Sequence, residues 1–247
     1  MAHEQGLPES SVRHRFARER SVVEPWLSGL TSESTMLDVG CGAGAWTMLF
    51  AQRCQHVVGI DVSPNMLAAA KAELVDAGNV ELIVGDALEV PLEGPFDAAF
   101  VGGVLMYLNR EDAVRLLARL RGLVPAGVIV LRESTLRSGI ETKSGEYNVV
   151  YRSPDEYAAI AADAGLSVVR VERNRGYADM EIAVELVNLV RRIPYAARRD
   201  PQFVGHPLWR ALQLSAFISL NLLPRAIEAV GIDWPHLTNH FMLLESE

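Results

Sequence analysis

The sequence has few of the residues that mark several common classes of protein. It contains only two cysteines in 247 residues, too few for a disulfide framework, which favours a reducing, cytoplasmic setting. It has 23 Lys and Arg against 31 Asp and Glu, so it lacks the basic excess typical of nucleic-acid-binding proteins. No apolar run reaches the ~20 residues of a membrane span, and the first residues lack the apolar stretch of a signal peptide. We therefore expect a cytoplasmic globular protein without a nucleic-acid partner or a membrane span.

Metal ligands are also sparse. Among the six histidines, only His236 and His240 lie close together, and the chain has no H-E-x-x-H motif. These two histidines share one face if the last segment is a strand, but no third ligand lies near them in the sequence. We therefore expect no metal site.

The most informative stretch is residues 37–46, Leu-Asp-Val-Gly-Cys-Gly-Ala-Gly-Ala-Trp, in which Gly40, Gly42 and Gly44 alternate. A short apolar run typical of a buried strand precedes the glycines, and a segment typical of a helix follows them. Glycine permits positive φ and lets a ligand approach the bare backbone, while the start of a helix offers unpaired N–H groups. This combination predicts a site for a nucleotide-sized ligand. A tight turn without a ligand is the alternative.

The spacing of the glycines separates two classes of cofactor. A dinucleotide site has the pattern G-x-G-x-x-G and an acidic residue about 20 positions later. Here the pattern is G-x-G-x-G, and Asp38 stands two residues before the first glycine. This pattern resembles motif I of the class I S-adenosylmethionine-dependent methyltransferases. In that family the glycine turn carries the methionine part of the cofactor, and the acid helps to hold its amino group.

Predicted strands and helices alternate along the chain, which indicates βαβ units and a parallel sheet. Right-handed crossovers place helices on both faces, and ligands bind at the carboxyl ends of the strands. The resemblance implies an α/β fold: a Rossmann-like, doubly wound, mostly parallel seven-stranded sheet with an antiparallel last strand and a helical insertion before it. The predicted strands are residues 35–39, 56–60, 80–84, 96–101, 127–131, 166–172 and 237–244.

We interpret residues 1–247 as a single methyltransferase domain with two additions. The predicted helix at 10–30 carries four arginines and forms either a solvated basic face or a lid over the cofactor. Residues 173–236 form a predicted helical insertion whose segment 208–223 is apolar around nearly the whole helix and must be buried. Three surfaces could bury this segment: the domain itself, a second copy in a homodimer, or an apolar ligand or lipid surface. We expect the insertion to form a cap over the acceptor. Residues 135–150 are expected to be irregular.

Further strand ends agree with the family. Asp61 ends the second predicted strand, where relatives have an acid that accepts hydrogen bonds from both ribose hydroxyls. Met66 stands where an apolar side chain packs on the adenine, and Asp86 resembles the acid that accepts from the adenine amine. Residues 96–105 resemble the family's fourth-strand motif, in which backbone carbonyls after the strand hold the cofactor amino group. The resemblance implies that S-adenosylmethionine, which leaves as S-adenosylhomocysteine, is bound by Asp38, Gly40, Cys41, Gly42, Gly44, Asp61, Val62, Met66, Asp86, Ala87 and Gly102.

Methyl transfer is an in-line displacement at a sulfonium methyl group, and it needs a general base only if the nucleophile is protonated at the working pH. Candidates must face the crevice. Glu133 follows the fifth predicted strand, beside the expected methyl position, and Tyr107 follows the fourth. We predict these two as catalytic residues. For Glu133, a helix-capping or salt-bridged acid is the alternative.

These features predict an enzyme that methylates O, N or C of a small organic molecule, such as a natural-product or metabolic intermediate. Two alternatives stay open: a methyltransferase that acts on protein or RNA, and a cyclase-like or regulatory relative that binds S-adenosylmethionine without transferring methyl. The net charge of −8 and the absence of an added RNA-binding domain argue against an RNA substrate. No Asn-Pro-Pro-Tyr-like tetrapeptide follows the fourth strand, which argues against the family branch that methylates planar amide and base nitrogens. Release of S-adenosylhomocysteine in the presence of an acceptor excludes the second alternative.

Overall fold

The computed structural model of this chain describes residues 9–145, 147–177 and 237–246. It divides into two compact units, which are Met1–Val22 with Arg173–Asn239, and Val23–Glu172 with His240–Glu247. The second unit contains the glycine-rich turn and every residue predicted above to bind the cofactor or act in catalysis. The site can therefore be described within that unit alone.

A nine-stranded sheet organises the fold. In chain order the strands are β1 (Thr35–Val39), β2 (His56–Asp61), β3 (Val80–Val84), β4 (Ala98–Gly102), β5 (Val128–Thr135), β6 (Ile140–Lys143), β7 (Val149–Arg152), β8 (Leu166–Arg173) and β9 (Thr238–Ser246). The first five are parallel, in the order β3-β2-β1-β4-β5. Strand β9 pairs with β5 and β8, and the last strands are antiparallel. The predicted Rossmann-like α/β fold is confirmed.

Within the described residues, one helix precedes the first strand and four helices connect strands. They are α1 (Glu9–Trp26), α2 (Ala45–Ala51), α3 (Pro64–Glu73), α4 (Arg110–Leu123) and α5 (Pro154–Asp163). Three of them begin at a side chain that accepts a backbone N–H, as N-cap residues do. Ser63 accepts from Met66, Asn109 from Asp112, and Ser153 from Glu156. The predicted starts at Ser63 and Ser153 are thus confirmed, and the proline after each serine suits the first helical position.

The core packs both faces of the parallel strands. Val39, Val101 and Leu131 join Leu117 of α4 and Ile160 of α5 in one buried apolar cluster. The side chain of Phe100, which alternates with that of Val101, packs instead against Trp46 of α2, with ring centroids 4.6 Å apart. Full burial of a large apolar side chain contributes ~1.5–3 kcal/mol. This packing fixes the carboxyl ends of β1, β2 and β4 relative to one another.

The predicted strand count of seven is wrong, because residues 135–150 are not irregular. Strand β5 continues to Thr135, and β6 and β7 form an antiparallel hairpin in which Ile140 pairs with Arg152. The hairpin joins the sheet at one point, where Thr135 pairs with Arg152 in parallel. Strand β6 reads Ile-Glu-Thr-Lys and is largely exposed, so it lacks the alternating apolar pattern that identifies a half-buried strand.

In the first unit, a buried polar cluster joins α1 to the ends of β8 and β9. Glu19 and Asn174 are almost completely buried, and the Asn174 amide donates to Glu19 Oε1 at 2.8 Å and to Asn239 Oδ1 at 2.9 Å. The backbone N–H of Asn174 also donates to the carbonyl of Asn239, at 2.8 Å. The chain therefore leaves β8 and returns to β9 at neighbouring positions. Apart from residues 173–177, the predicted cap at 173–236 lies outside the described residues, as does His236.

Candidate functional site

The glycine-rich turn follows β1 and has positive φ at Gly40 (72°), Gly42 (55°) and Gly44 (85°). A Cβ on Gly40 would lie 2.3 Å from Cγ2 of Val104, so no other residue fits there. A Cβ on Gly42 would meet no atom within 4 Å. The turn is therefore closed on one side by the segment after β4 and open at Gly42, where its bare backbone is accessible.

Asp61, at the end of β2, lies directly beside this turn. Its Oδ2 accepts the N–H of Gly42 at 2.9 Å, and its Oδ1 accepts the N–H of Ser63 at 2.8 Å. A carboxylate has about four lone-pair positions, so each oxygen keeps capacity for another donor. Next to it in the sequence, Val62 is 70% exposed and Met66 is 37% exposed. The arrangement offers a pair of acceptors for neighbouring hydroxyl groups beside an uncovered apolar surface.

The turn after β3 is held beside Asp61 and carries Asp86. The N–H of Gly85 donates to the Asp61 carbonyl at 3.0 Å, and the Asp86 Oδ1 accepts the N–H of Leu88 at 2.9 Å. Arg119 of α4 donates to the carbonyls of Ala87, at 2.7 Å, and Val90. The sequence reading missed Arg119, because its partners are about 30 residues away in the chain and no local pattern marks them.

Asp38 and Cys41 lie inside the protein rather than on the surface of the crevice. Asp38 Oδ2 accepts the hydroxyl of Thr47 at 2.6 Å. Burial raises the pKa of Asp38 to about 7, although the Thr47 hydrogen bond opposes this rise; the charge of Asp61 adds to it. Burial, with the nearby charges of Asp38 and Asp61, also raises the pKa of the Cys41 thiol. Cys41 is therefore kept as a thiol, which is a poor nucleophile.

The segment after β4, residues 102–108, is called the post-β4 turn below. It contains Gly103 at φ 71° and a single 3-10 turn at Leu105–Tyr107. The Tyr107 side chain is 43% exposed and meets the ring of Tyr147 edge to face, with centroids 6.4 Å apart and planes at 77°. Tyr147 is 69% exposed, so the two rings present an aromatic surface to solvent.

Glu133 does not lie at the open end of β5, where the sequence placed it, because the strand continues two residues further. Its side chain is completely buried beneath the post-β4 turn. Oε1 accepts the N–H groups of Val104 and Leu105, both at 3.0 Å. Burial raises the pKa of Glu133 to about 7; the backbone hydrogen bonds and the charge of Arg132 oppose the rise. The catalytic role of Glu133 stays a prediction, but its carboxylate contacts the turn rather than the crevice.

Arg152, at the end of β7, is a second buried charge, and its contacts with the post-β4 turn were not predicted from the sequence. Its guanidinium donates to the carbonyl of Leu105 at 2.9 Å and to that of Leu108 at 2.7 Å. It also lies 5.9 Å from the centroid of the Tyr157 ring. No local pattern predicts these two bonds, since Leu105 and Leu108 precede the arginine by more than 40 residues.

Two expected absences can be examined in part. Among residues 9–145, 147–177 and 237–246, no helix combines the length and apolarity needed to cross a membrane. Within the same ranges, no three side chains of His, Cys, Asp or Glu are grouped so that they could hold a metal ion.

Comparison with known proteins agrees with this geometry. Residues 36–127 match the family described as a methyltransferase domain. The demethylmenaquinone methyltransferase of Staphylococcus saprophyticus subsp. saprophyticus is 35% identical over 131 residues, covering 51% of this chain and 54% of the relative. The demethylmenaquinone methyltransferase of Staphylococcus aureus (strain JH9) is 34% identical over 131 residues, covering 51% and 52%. The chain thus spans about half the length of the curated relatives it matches.

The solved structures show the same fold at lower identity. The [4+2]-cyclase SpnF has a TM-score of 0.61 at 18% identity, with 93% of this chain and 80% of that chain covered. Phosphoethanolamine N-methyltransferase 2 of Haemonchus contortus, solved in complex with S-adenosylmethionine, has a TM-score of 0.60 at 19% identity, with 92% and 51% covered. These neighbours concern the fold alone.

Proposed function

We propose that the chain, whose residues 36–127 match the family described as a methyltransferase domain, binds S-adenosylmethionine and methylates a small organic acceptor. The observation that carries the proposal is the open backbone at Gly42 with the Asp61 carboxylate beside it. A turn with an open, bare backbone, held by an acid with spare acceptor capacity, suits a ligand that has vicinal hydroxyl groups.

The described residues fit the different parts of this cofactor. Asp61 accepts the ribose hydroxyls, the exposed Val62 and Met66 pack on the adenine, and Asp86 accepts from the adenine amine. The turn after β3 at residues 85–87 is called the adenine turn below. The remaining proposed cofactor contacts come from the glycine-rich turn, the adenine turn and the post-β4 turn: Asp38, Gly40, Cys41, Gly42, Gly44, Ala87 and Gly102. For the buried Asp38 and Cys41, we propose that contact is made through the turn that they support.

When bound, S-adenosylmethionine supplies an electrophilic methyl group on a sulfonium. The chain's own part is to hold the acceptor in line with it and to keep water away. Positioning of this kind can supply ~7–11 kcal/mol of the barrier. We assign Tyr107 to contact with the acceptor, because it is the exposed side chain of the post-β4 turn. Glu133 lies behind the same turn and has no direct path to the acceptor.

The finer proposal concerns the acceptor. The aromatic surface formed by Tyr107 and Tyr147 favours a planar, largely apolar ring, since aromatic rings associate edge to face and offset-stacked. The names of the curated relatives state that they methylate demethylmenaquinone, which has such a ring system. We therefore propose a hydroxylated aromatic or quinol-like acceptor. The predicted cap at 173–236 and the lid at 10–30 remain part of this proposal.

A second function deserves a test, because a [4+2]-cyclase shares this fold over 93% of the chain. A cyclase-like relative would bind S-adenosylmethionine and leave it unchanged. The two functions differ in one product, since only methyl transfer releases S-adenosylhomocysteine. We expect its release in the presence of soluble hydroxynaphthoquinols, with methylated product in equal amount. Conversion of a substrate without S-adenosylhomocysteine would establish the alternative.

Cofactor binding is tested by Asp61→Ala. Hydrogen bonds to a charged acceptor contribute ~1.5–3 kcal/mol each, so we expect the dissociation constant for S-adenosylmethionine to rise at least ~tenfold by calorimetry. Asp76→Ala is the matched control, because that carboxylate is exposed beyond the end of α3. An unchanged constant in a folded Asp61→Ala variant would contradict the site.

A further inference from the structure

We infer that Glu133 and Arg152 are positioning residues which hold the post-β4 turn between them and thereby set the position of Tyr107 at the acceptor. The inference rests on the proposed function, since it assigns a role at the same site. It differs from the prediction of Glu133 as a base, because it gives the carboxylate a structural partner in the turn and assigns Arg152 to the same turn.

Glu133 holds the start of the turn. Its Oε1 accepts two consecutive N–H groups, those of Val104 and Leu105, each at 3.0 Å. The 3-10 turn begins at Leu105, so the carboxylate occupies the N-terminal side of that turn, where unpaired N–H groups point outward. A negative charge at this end is favourable for the dipoles of the peptide groups.

Arg152 holds the end of the same turn. Its two terminal nitrogens donate to the carbonyls of Leu105 and Leu108, at 2.9 and 2.7 Å. The Leu105 carbonyl also accepts the N–H of Leu108, at 3.2 Å, which closes the 3-10 turn. The guanidinium therefore lies on the carbonyl side of this turn, where a positive charge is favourable. The planar, forked donor set of arginine can bond both carbonyls at once, which a lysine ammonium on its single nitrogen does less well.

The burial of both groups argues that the arrangement is not incidental. Glu133 is 0% exposed and Arg152 is 2% exposed. A buried charge is costly unless it is paired and hydrogen-bonded. Here the two side chains do not bond each other; Glu133 Oε1 and the Arg152 guanidinium instead bond one backbone turn, while Glu133 Oε2 is buried without a hydrogen-bond partner among the described residues. Because they come from β5 and from the β6–β7 hairpin, they also fix the turn to two separate elements.

Two residues of the post-β4 turn connect Glu133 and Arg152 to the proposed methyl transfer. At its start, Val104 lies against Gly40, where an added Cβ would be 2.3 Å from Cγ2 of the valine. Near its end, Tyr107 lies between the two carbonyls that Arg152 bonds and points its exposed ring toward Tyr147. The pair therefore determines how the aromatic side chain stands relative to the glycine-rich turn. Methyl transfer depends on that kind of alignment.

The test compares Glu133→Ala and Arg152→Met with Asp163→Ala and Arg110→Met. The last two are matched controls, because Arg110 and Asp163 form an exposed ion pair at 2.7 Å on α4 and α5. All variants are measured with S-adenosylmethionine bound. We expect hydrogen exchange of the Val104 and Leu105 amides to accelerate at least ~tenfold in Glu133→Ala and to remain unchanged in the controls.

Turnover separates positioning from a purely structural role. We expect kcat to fall at least ~tenfold in Glu133→Ala and Arg152→Met, with the dissociation constant for S-adenosylmethionine within about threefold. In a Tyr107→Ala background the same two substitutions should have little further effect on kcat, because they act through that residue. Glu133→Gln keeps a carbonyl oxygen for the two N–H groups, so it should restore most of kcat.

Several outcomes would overturn the inference. Additive losses of kcat with Tyr107→Ala, or unchanged amide exchange in Glu133→Ala, would each show that the pair does not act through the turn. Loss of turnover in Glu133→Gln with normal exchange would identify Glu133 as a base instead. If Glu133→Ala does not fold, Arg152→Met and Arg152→Lys carry the comparison, with kcat expected to fall in both and the loss to disappear in the Tyr107→Ala background. A wild-type chain that releases no S-adenosylhomocysteine refutes the proposed function, while the exchange measurement still tests the contacts.

Discussion

At the scale of single residues, the site depends on two glycines that have different tasks. Gly40 is required by the fold, because a side chain there would collide with Val104. At Gly42 no such collision arises, since a Cβ there would meet no atom within 4 Å. The space in front of Gly42 is therefore open for a ligand, and a methyl group placed there tests whether a ligand uses it.

We predict that Gly42→Ala folds but binds S-adenosylmethionine poorly. Alanine at the positive φ of Gly42 costs ~1–2 kcal/mol of stability. The added methyl group occupies the space of the cofactor, so we expect the dissociation constant to rise at least ~tenfold by calorimetry. Gly78→Ala is the control, because a Cβ there also meets nothing within 4 Å and no positive φ is involved. Normal binding by a folded Gly42→Ala variant would show that the ligand does not occupy this space.

At the scale of elements, the loops of the site are held by side chains from elements that follow them in the chain. Helix α4 supplies Arg119 to the turn after β3, and the β6–β7 hairpin supplies Arg152 to the post-β4 turn. In both cases a guanidinium bonds two backbone carbonyls. A loop held in this way keeps its acceptor groups in place before the ligand arrives, which lowers the free energy that binding must spend on ordering.

We predict that Arg119→Met loosens the adenine turn. The substitution keeps the apolar stem but removes two hydrogen bonds from a charged donor, so the free energy of unfolding should fall by at least ~1.5 kcal/mol in urea. We also expect weaker binding of S-adenosylmethionine, because Asp86 and Ala87 lie in that turn.

Arg115→Met on the same helix is the matched control. Its guanidinium pairs with Asp112 at 2.8 Å and Glu89 at 3.7 Å and is 55% exposed. Exposed ion pairs contribute ~0–1 kcal/mol, so the control should change little. An equal fall in the free energy of unfolding in Arg119→Met and Arg115→Met would contradict the proposal that Arg119 holds this turn.

At the scale of the whole molecule, two completely buried carboxyl groups make stability depend on pH. Burial raises the pKa of Asp38 from 3.8 to about 7 and that of Glu133 from 4.5 to about 7. Between these values the folded chain binds more protons than the unfolded chain. The contribution of these two groups to the free energy of unfolding is therefore fully present below pH ~4 and is lost as the pH rises through ~7. Above that pH the free energy of unfolding no longer changes through these groups.

We predict that Asp38→Asn gains stability relative to the wild type as the pH rises. Each buried group changes the free energy of unfolding by at most ~1.4 kcal/mol per pH unit between its two pKa values. Urea unfolding at pH 5, 6, 7 and 8 should show a difference between variant and wild type that grows up to pH ~7 and then levels off. A difference that is independent of pH, or that changes in the opposite direction, would contradict the raised pKa of Asp38.

The parallel core of the fold and one part of the candidate site could be predicted because their signals are local. The spacing of Gly40, Gly42 and Gly44, the acid that ends β2 and the caps at Ser63 and Ser153 all depend on residues near one another in the chain. Local backbone geometry and hydrogen bonding determine such features, so the sequence alone was sufficient to place the strands that carry Asp61 and Asp86.

The part of the candidate site around the post-β4 turn was decided by the tertiary structure alone. The bonds of Glu133 and Arg152 to the post-β4 turn span 28 to 47 residues, and no periodicity or spacing marks partners at that separation. Whether Glu133 faces the crevice or the interior depends on how far β5 extends and on the hairpin that pairs with its end. Burial is a property of the packed molecule, because it depends on elements distant in the chain that come to lie over a side chain. For that reason the sequence determined which carboxylates stand near the strand ends, and only the packing decided which of them are buried.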